Sequence, residues 1–357
     1  MQRQDSPSPM HSAGRSVGWM QPWFQRLGLA LGSIAVTSAS LGWGSPALAG
    51  DPFRSNNPMP IGDKTEAAFE AMFKAGDYKT AVGLLEQAKT AEPNEPLVYP
   101  MLALVAQYEQ DNAALPGLAT ETRRAAKAIQ ASQPLRSNLY LAVAEFIDGA
   151  YILSDQGDGP VRGLGKALGR LRSFNAAMKA ARQIDPNDPE LNLLQGFTDM
   201  YASAYLPLSS TDEAVEKLQQ ASPAYLSHWL TGLGYRILGK TDQGLAAIDQ
   251  GLALQGSHPE MHYLKAQLAH RKGQDQKDKG QLAIAQTHFD RALAAPEVLP
   301  LRLVTQILQE SCQNQEALDG KDRACDRGSV KNAVNSRAGN SRWGAIKPAE
   351  VLQALIR

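Results

Sequence analysis

Two apolar stripes at helical spacing, joined by a Gly-Asp turn, constrain this chain more than any other feature of it. In "AAFEAMFKAGDYKTAVGLLEQAKTAEPNEP", from Ala67 to Pro96, Ala68, Met72 and Phe73 share one helical face. The turn "AGDY" follows, and then Ala81, Leu84, Leu85 and Ala88 share a second face that ends at Pro93. Two amphipathic helices of about a dozen residues with a short turn between them form a helix hairpin. A single hairpin cannot bury its apolar faces alone, so the pattern predicts a stack of such units. Composition agrees: aromatic residues make up only 6% of the chain, while Ala, Leu and Gln are plentiful. That mixture suits helices packed through small side chains better than a sheet.

The hairpin resembles the tetratricopeptide repeat (TPR) family, whose unit of about 34 residues wants small residues at positions 8, 20 and 27. The physical reason is that small residues let the two helices approach, while large ones beside them fill the hole. Counting from Gly62, Gly76 falls in the turn, Ala81 and Ala88 take two of the small positions, and Pro93 closes the unit. Phe69 is the mismatch, since it is too large for position 8. A fifth unit from Tyr225 puts Gly232, Gly244 and Gly251 at the small positions. A sixth from Pro259 uses Ala266, Ala285 and Ala292, with "QDQKDKG" as an extra turn. A fourth from Pro189 uses Gly196, Ala214 and Ala221. Between Pro96 and Pro186 the code degrades, although "LVYPMLALVAQYEQ" and "LYLAVAEFIDGAYIL" read as first helices. The resemblance covers residues 62–296 and implies an all-α solenoid of antiparallel hairpins with irregular middle units. As a whole the chain is similar to exported TPR proteins of photosynthetic bacteria.

Arg3, Arg15 and Arg26 precede the apolar stretch beginning "LGLALGSIAV", which leads to Ala47-Leu48-Ala49. This small-x-small pattern predicts a signal peptide over 1–49 with cleavage before Gly50, and an uncleaved anchor is the alternative. No stable membrane insertion is expected after cleavage, because no later segment approaches eighteen apolar residues. Residues 50–61 read as a linker, 62–318 as the repeat domain, 319–342 as a polar loop and 343–357 as a capping helix. Cys312 and Cys325 are the only cysteines, and in an exported chain they predict a disulfide.

"GYRILGKT", from Gly234 to Thr241, matches the phosphate-loop pattern G-x-x-x-x-G-K-[ST]. A working phosphate loop needs a buried strand before its first glycine, and what precedes Gly234 is helical in period. The repeat register instead puts Gly234 within a helix and Gly239-Lys240-Thr241 in the turn. His258, His262, His270 and His288 sit at spacings that can share a metal, but Pro259 places His258 at a helix start and no known signature is completed. The stretch from Gly157 to Arg172 is basic and Gly-rich. It reads either as a solvated hairpin loop or as a dock for an anionic partner through Arg162, Lys166, Arg170 and Arg172. No catalytic residues, cofactor or metal are expected.

The chain holds 36 basic and 36 acidic residues, and 1–49 contains three Arg and one Asp, leaving 33 and 35. Such balance exerts no long-range pull on nucleic acid. The TPR resemblance implies a protein or peptide partner lying in a groove lined by first helices. Carried over by position, its groove residues are Leu226, Trp229, Leu233 and Arg236 in the fifth unit. In the sixth they are Tyr263, Gln267 and His270 with Glu260, and in the first Asp63, Glu66, Glu70 and Phe73. The expectation is therefore a non-catalytic scaffold or adaptor in the periplasm or thylakoid lumen. The alternatives are a hydrolase using Lys240 or a metal near His262, and a structural module that oligomerises through Lys347–Arg357.

Overall fold

A left-handed turn at Gly76 sets the first hairpin of the computed structural model, which describes residues 50–203 and 210–357. The predicted leader and its cleavage pattern lie outside the described residues. Helix α1 (Asp63–Glu70) widens into a π turn over Ala71–Ala75 and stops at Gly76, whose φ of 67° suits only glycine without strain. Asp77 then accepts the N–H of Thr80 at 2.8 Å and caps α2 (Tyr78–Ala91). Phe69, the oversized residue of the unit, is enclosed edge-on between Phe53 and Phe73, with ring centroids 5.1 Å from each.

Further pairs follow in chain order: α3 (Val98–Glu109) with α4 (Leu115–Ala128), and α5 (Pro134–Leu153) with α7 (Leu164–Ile184), joined by the one-turn α6 (Gly159–Arg162). Next come α8 (Pro189–Ser203) with α9 (Thr211–Gln219), α10 (Ala224–Ile237) with α11 (Thr241–Leu254), and α12 (Pro259–Gln276) with α13 (Lys279–Ala292). Among the described residues the only extended pairings are two isolated bridges. The fold is thus an all-α solenoid of antiparallel hairpins, TPR-like in its use of small residues. The third pair is the irregular one, its helices running to 20 and 21 residues.

Close approach at the small positions holds each pair together. A Cβ on Gly196 would stand 2.9 Å from the Leu218 nitrogen and 3.0 Å from the Ala214 oxygen, both backbone atoms that cannot yield. Gly196→Ala is therefore expected to push α8 from α9 and to cost about 1–3 kcal/mol, read as a lower urea midpoint with unchanged slope. Gly83→Ala, at a position where an added Cβ meets nothing within 4 Å, is the matched control and should be neutral or stabilising.

Past the sixth pair, α14 (Leu301–Asp319) packs on α13, and Cys312 is joined to Cys325 with Cα atoms 5.5 Å apart. Closing a loop of this length contributes on the order of 3 kcal/mol. Helix α16 (Pro348–Ala354) buries Val351 and Leu352 as an end cap. Two segments differ from the sequence reading. The polar stretch 319–342 contains a helix, α15 (Arg327–Ala338), capped by Asp326 and anchored by Val330 and Val334, four apart and fully buried. Its Asn, Gly and Arg content masked that two-residue stripe. The segment 50–61 is no free linker, since Phe53, Arg54 and Ile61 are all buried.

The solenoid also closes on itself. Helix α14 packs on α3, and the turn Pro296–Val298 packs on α2. Arg342 Nε donates to Glu109 Oε1 at 2.7 Å, and Arg302 donates to Gln110.

Candidate functional site

The closure decides which part of the inner face is free. Leu226, Trp229, Leu233 and Tyr263 are at most 2% exposed, so they belong to the core and present no surface to a peptide. Trp229 lies tilted against the His258 ring, 4.7 Å between centroids. Gln267 donates to Glu310 at 2.6 Å and His270 pairs with Asn314 at 2.9 Å, so α14 occupies that stretch of the groove. Arg236 is half-buried at the end of α10. A groove over the fifth and sixth units is therefore filled by this chain's own elements. Sequence positions placed these residues on the inner face, and their contacts come from the elements that follow: Trp229 meets His258, Tyr263 meets Phe289, and Gln267 and His270 meet α14.

The first hairpin is held across the starts of α8 and α12 by two buried polar clusters. In one, Arg54 donates to both oxygens of Asp188 at 2.7 and 2.9 Å, to Glu190 at 2.8 Å and to Asp51 at 3.0 Å. Tyr140 donates to the other Glu190 oxygen at 2.6 Å, and Arg136 donates to Glu95 at 2.6 Å. Burial pushes the Glu190 carboxyl up, but Arg54 and Arg136 outweigh it and hold it below the usual range. In the other cluster, Glu260 at the start of α12 accepts the hydroxyls of Tyr78 and Tyr108. Among the described residues no cation joins it there. Burial pushes its carboxyl up to about 8, although both tyrosine hydroxyls pull the other way. Beside it Gly76 lies directly against the Pro259 ring, leaving no space for a Cβ.

An apolar cavity of about 190 Å³ lies open on the inner face of the second to fourth units. First helices α3, α5 and α8 supply Leu104, Leu139, Val143, Leu193 and Phe197, while Phe53 and Phe73 come from the first hairpin and the segment before it. Its few polar groups include Gln107, Thr198 and the Tyr140–Glu190 pair. Phe146 stands at the rim, 36% exposed. An apolar cavity of about 150 Å³ holds a benzene-sized group, so this one accepts a single large apolar side chain. The sequence signal for it was present, because α3 and α5 are apolar nearly all round, as helices covered on several sides are. The weak repeat register in this region hid which of those residues face inward.

Gly234 lies within α10, with no room for a Cβ against Met200, and Gly239, at φ 73°, forms the turn before α11. Lys240 lies over the Tyr235 ring at 5.9 Å. A helix, not a strand, precedes the motif, so its backbone does not form a phosphate cradle. His262 Nδ1 lies 2.9 Å from His288 Nδ1, so those two meet, while His258 caps α12 and His270 is directed to Asn314; the four do not converge on one point. Among the described residues no group of three or more His, Cys, Asp or Glu is arranged to hold a metal ion. Of the basic stretch, Lys166 pairs with Asp158 at 2.8 Å and Arg170 with Glu145 at 2.9 Å. Among the described residues no helix is long and apolar enough to cross a membrane.

No family model and no curated protein matches the chain. Among solved structures it is similar to the type IV pilus biogenesis factor PilW, at 15% identity over 72% of this chain and 97% of that one, with a TM-score of 0.41. It is also similar to a thermophilic TPR protein of Thermus thermophilus, at 19% identity over 68% and 91% of the two chains, with a TM-score of 0.27. At these scores neither likeness bears on function.

Proposed function

We propose that this protein is a non-catalytic interaction scaffold that grips one large apolar side chain of a protein partner in the cavity between α3, α5 and α8. The cavity carries the reading: it is apolar, open at one side, and sized for a Phe, Leu or Trp rather than for a polar substrate. The hairpin architecture supports it, since helical solenoids present side chains of successive first helices to extended partners. Among the described residues, neither the Lys240 turn nor the histidines around His262 set a nucleophile beside a base. The balanced charge supports a protein partner over a polyanion. The leader pattern supports work outside the cytoplasm, in a periplasm or thylakoid lumen, after removal of 1–49.

The test is site-specific photocrosslinking in cells, with the photoreactive residue placed at Phe146 on the rim and, as a control, at exposed Leu254. A discrete adduct from position 146 and none from 254 is the expected result. Phe146→Asp, scored by co-purification of that adduct's protein, should weaken capture by about 1–3 kcal/mol. No adduct at 146, or the same adducts at both positions, would sink the reading.

A further inference from the structure

The leader pattern makes Gly50 the first residue of the exported chain, and its nitrogen lies beside a group of carboxylates. The Gly50 nitrogen donates to Glu66 Oε2 at 2.8 Å. Four carboxylates are gathered here, on Asp51, Asp63, Glu66 and Glu70. Asp51 shares its charge with Arg54 at 3.0 Å and Glu70 with Lys74 at 3.3 Å. Glu66, by contrast, has no cationic side chain among its partners within the described residues. Burial pushes its carboxyl up, the Gly50 N–H draws it down, and Glu70, Asp63 and Asp51 push it up again. A neutral amide is a poor answer to that field; a cation would be a good one.

Two further observations show that the approach is built. A Cβ on residue 50 would stand 2.6 Å from Glu66 Oε1, so an alanine there would have to push the carboxylate end of Glu66 aside. The loop behind it is fixed as well. Asp51 accepts the N–H groups of Phe53 and Met59, each at 2.9 Å, and Arg54 is clamped by Asp188 and Glu190.

We infer that Glu66 is a receptor for a new N-terminal ammonium group, completed only when the bond between Ala49 and Gly50 is cut. The cut is a hydrolysis: the C–N bond breaks, the oxygen of water joins the Ala49 carbonyl carbon to give a carboxylate, and the Gly50 nitrogen leaves as an amine that takes up a proton. A peptidase of the export route supplies the catalysis. The product places a full positive charge where the uncut chain has an amide, and it ties the entry segment to α1. Processing thereby finishes the docking of the segment that lines the cavity through Phe53. The inference rests on the export reading above.

The test has two arms, both on protein purified from the non-cytoplasmic fraction. N-terminal sequencing with intact mass should find Gly50 first. Labelling of the α-amine by a limiting acylating reagent at pH 7.5, read by mass spectrometry, should be about two- to fivefold slower in the wild type than in Glu66→Gln, as befits a partly exposed pair. Gly50→Ala, whose Cβ displaces the carboxylate, should label as fast as Glu66→Gln. A full-length protein confined to the cytoplasm would overturn the export reading itself. A different first residue would overturn the cleavage assignment alone. Gly50 first with equal labelling in all three proteins would overturn the receptor while leaving processing intact.

Discussion

Arg54→Met is expected to destabilise the protein by about 3–5 kcal/mol, the usual cost of removing one partner from a buried ion cluster. The Arg54 side chain is 5% exposed and faces Asp51, Asp188 and Glu190, so its loss leaves three carboxylates in a poorly hydrated site. Exposed Lys89, paired with Glu86 at 3.0 Å with both side chains more than 40% accessible, is the contrast. Lys89→Met should change stability by less than about 0.5 kcal/mol. The effect should also be local. Hydrogen exchange in 50–61 and α1 should accelerate far more than exchange in α10 to α13, because Arg54 joins the entry segment to α8. Adding Asp188→Asn and Glu190→Gln to Arg54→Met should recover part of the loss, since the stranded charges are then gone. Uniform acceleration along the chain, or no recovery in the triple variant, would show that the cluster does not secure the first hairpin.

Stability is expected to pass through a maximum near pH 6.5 and to fall by on the order of 2 kcal/mol by pH 8, through Glu260. Its carboxyl titrates at about 8 when folded, against an ordinary value of 4.5. Between those values the folded state holds a proton that the unfolded chain has released. The stabilisation is complete below 4.5 and is lost as pH rises through 8, at up to about 1.4 kcal/mol per unit. The buried histidines act with the opposite sign. Burial drives His258 down to about 3 and His288 to about 4, so folding keeps both neutral where the unfolded chain would protonate them. Their contribution is present above 6.5 and lost as pH falls. Below pH 6.5 the histidines outweigh Glu260, and above it Glu260 acts alone, because burial raises its partners Tyr78 and Tyr108 beyond their ordinary range near 10. Glu260→Gln should flatten the alkaline limb, leaving the acid limb in place. An unchanged alkaline limb in that variant would rule out Glu260 as its source.

How much of this was legible beforehand differs by element. Ala81, Gly196, Gly232 and Gly244 announced close helix approach, and each sits where two helices touch. Pro93 and the Gly-Asp turn marked a stop and a corner that the backbone respects, and the capping by Asp77 came from the structure. Helix α15 was missed because two valines are a faint stripe among Asn, Gly and Arg, and propensity outweighed them. The cavity was missed because α3 and α5 are apolar on several sides, so periodicity could not say which side stays open.

Hairpins, their register in the first, fifth and sixth units, and the spacing of the two cysteines are consequences of local sequence, because a helical stripe and a turn depend on residues a few positions apart. Availability is another matter. Whether Trp229 is groove or core depends on how the neighbouring units pack against it, and Gln267 and His270 are taken up by Glu310 and Asn314 because α14 packs over them. Arg54 meets Asp188 across 134 positions and Tyr78 meets Glu260 across 182. Such pairings are set by the accumulated rotation of six stacked hairpins, a sum no short window of sequence contains. The sequence by itself determined what the units are; the closure of the stack decided which faces remain open to a partner.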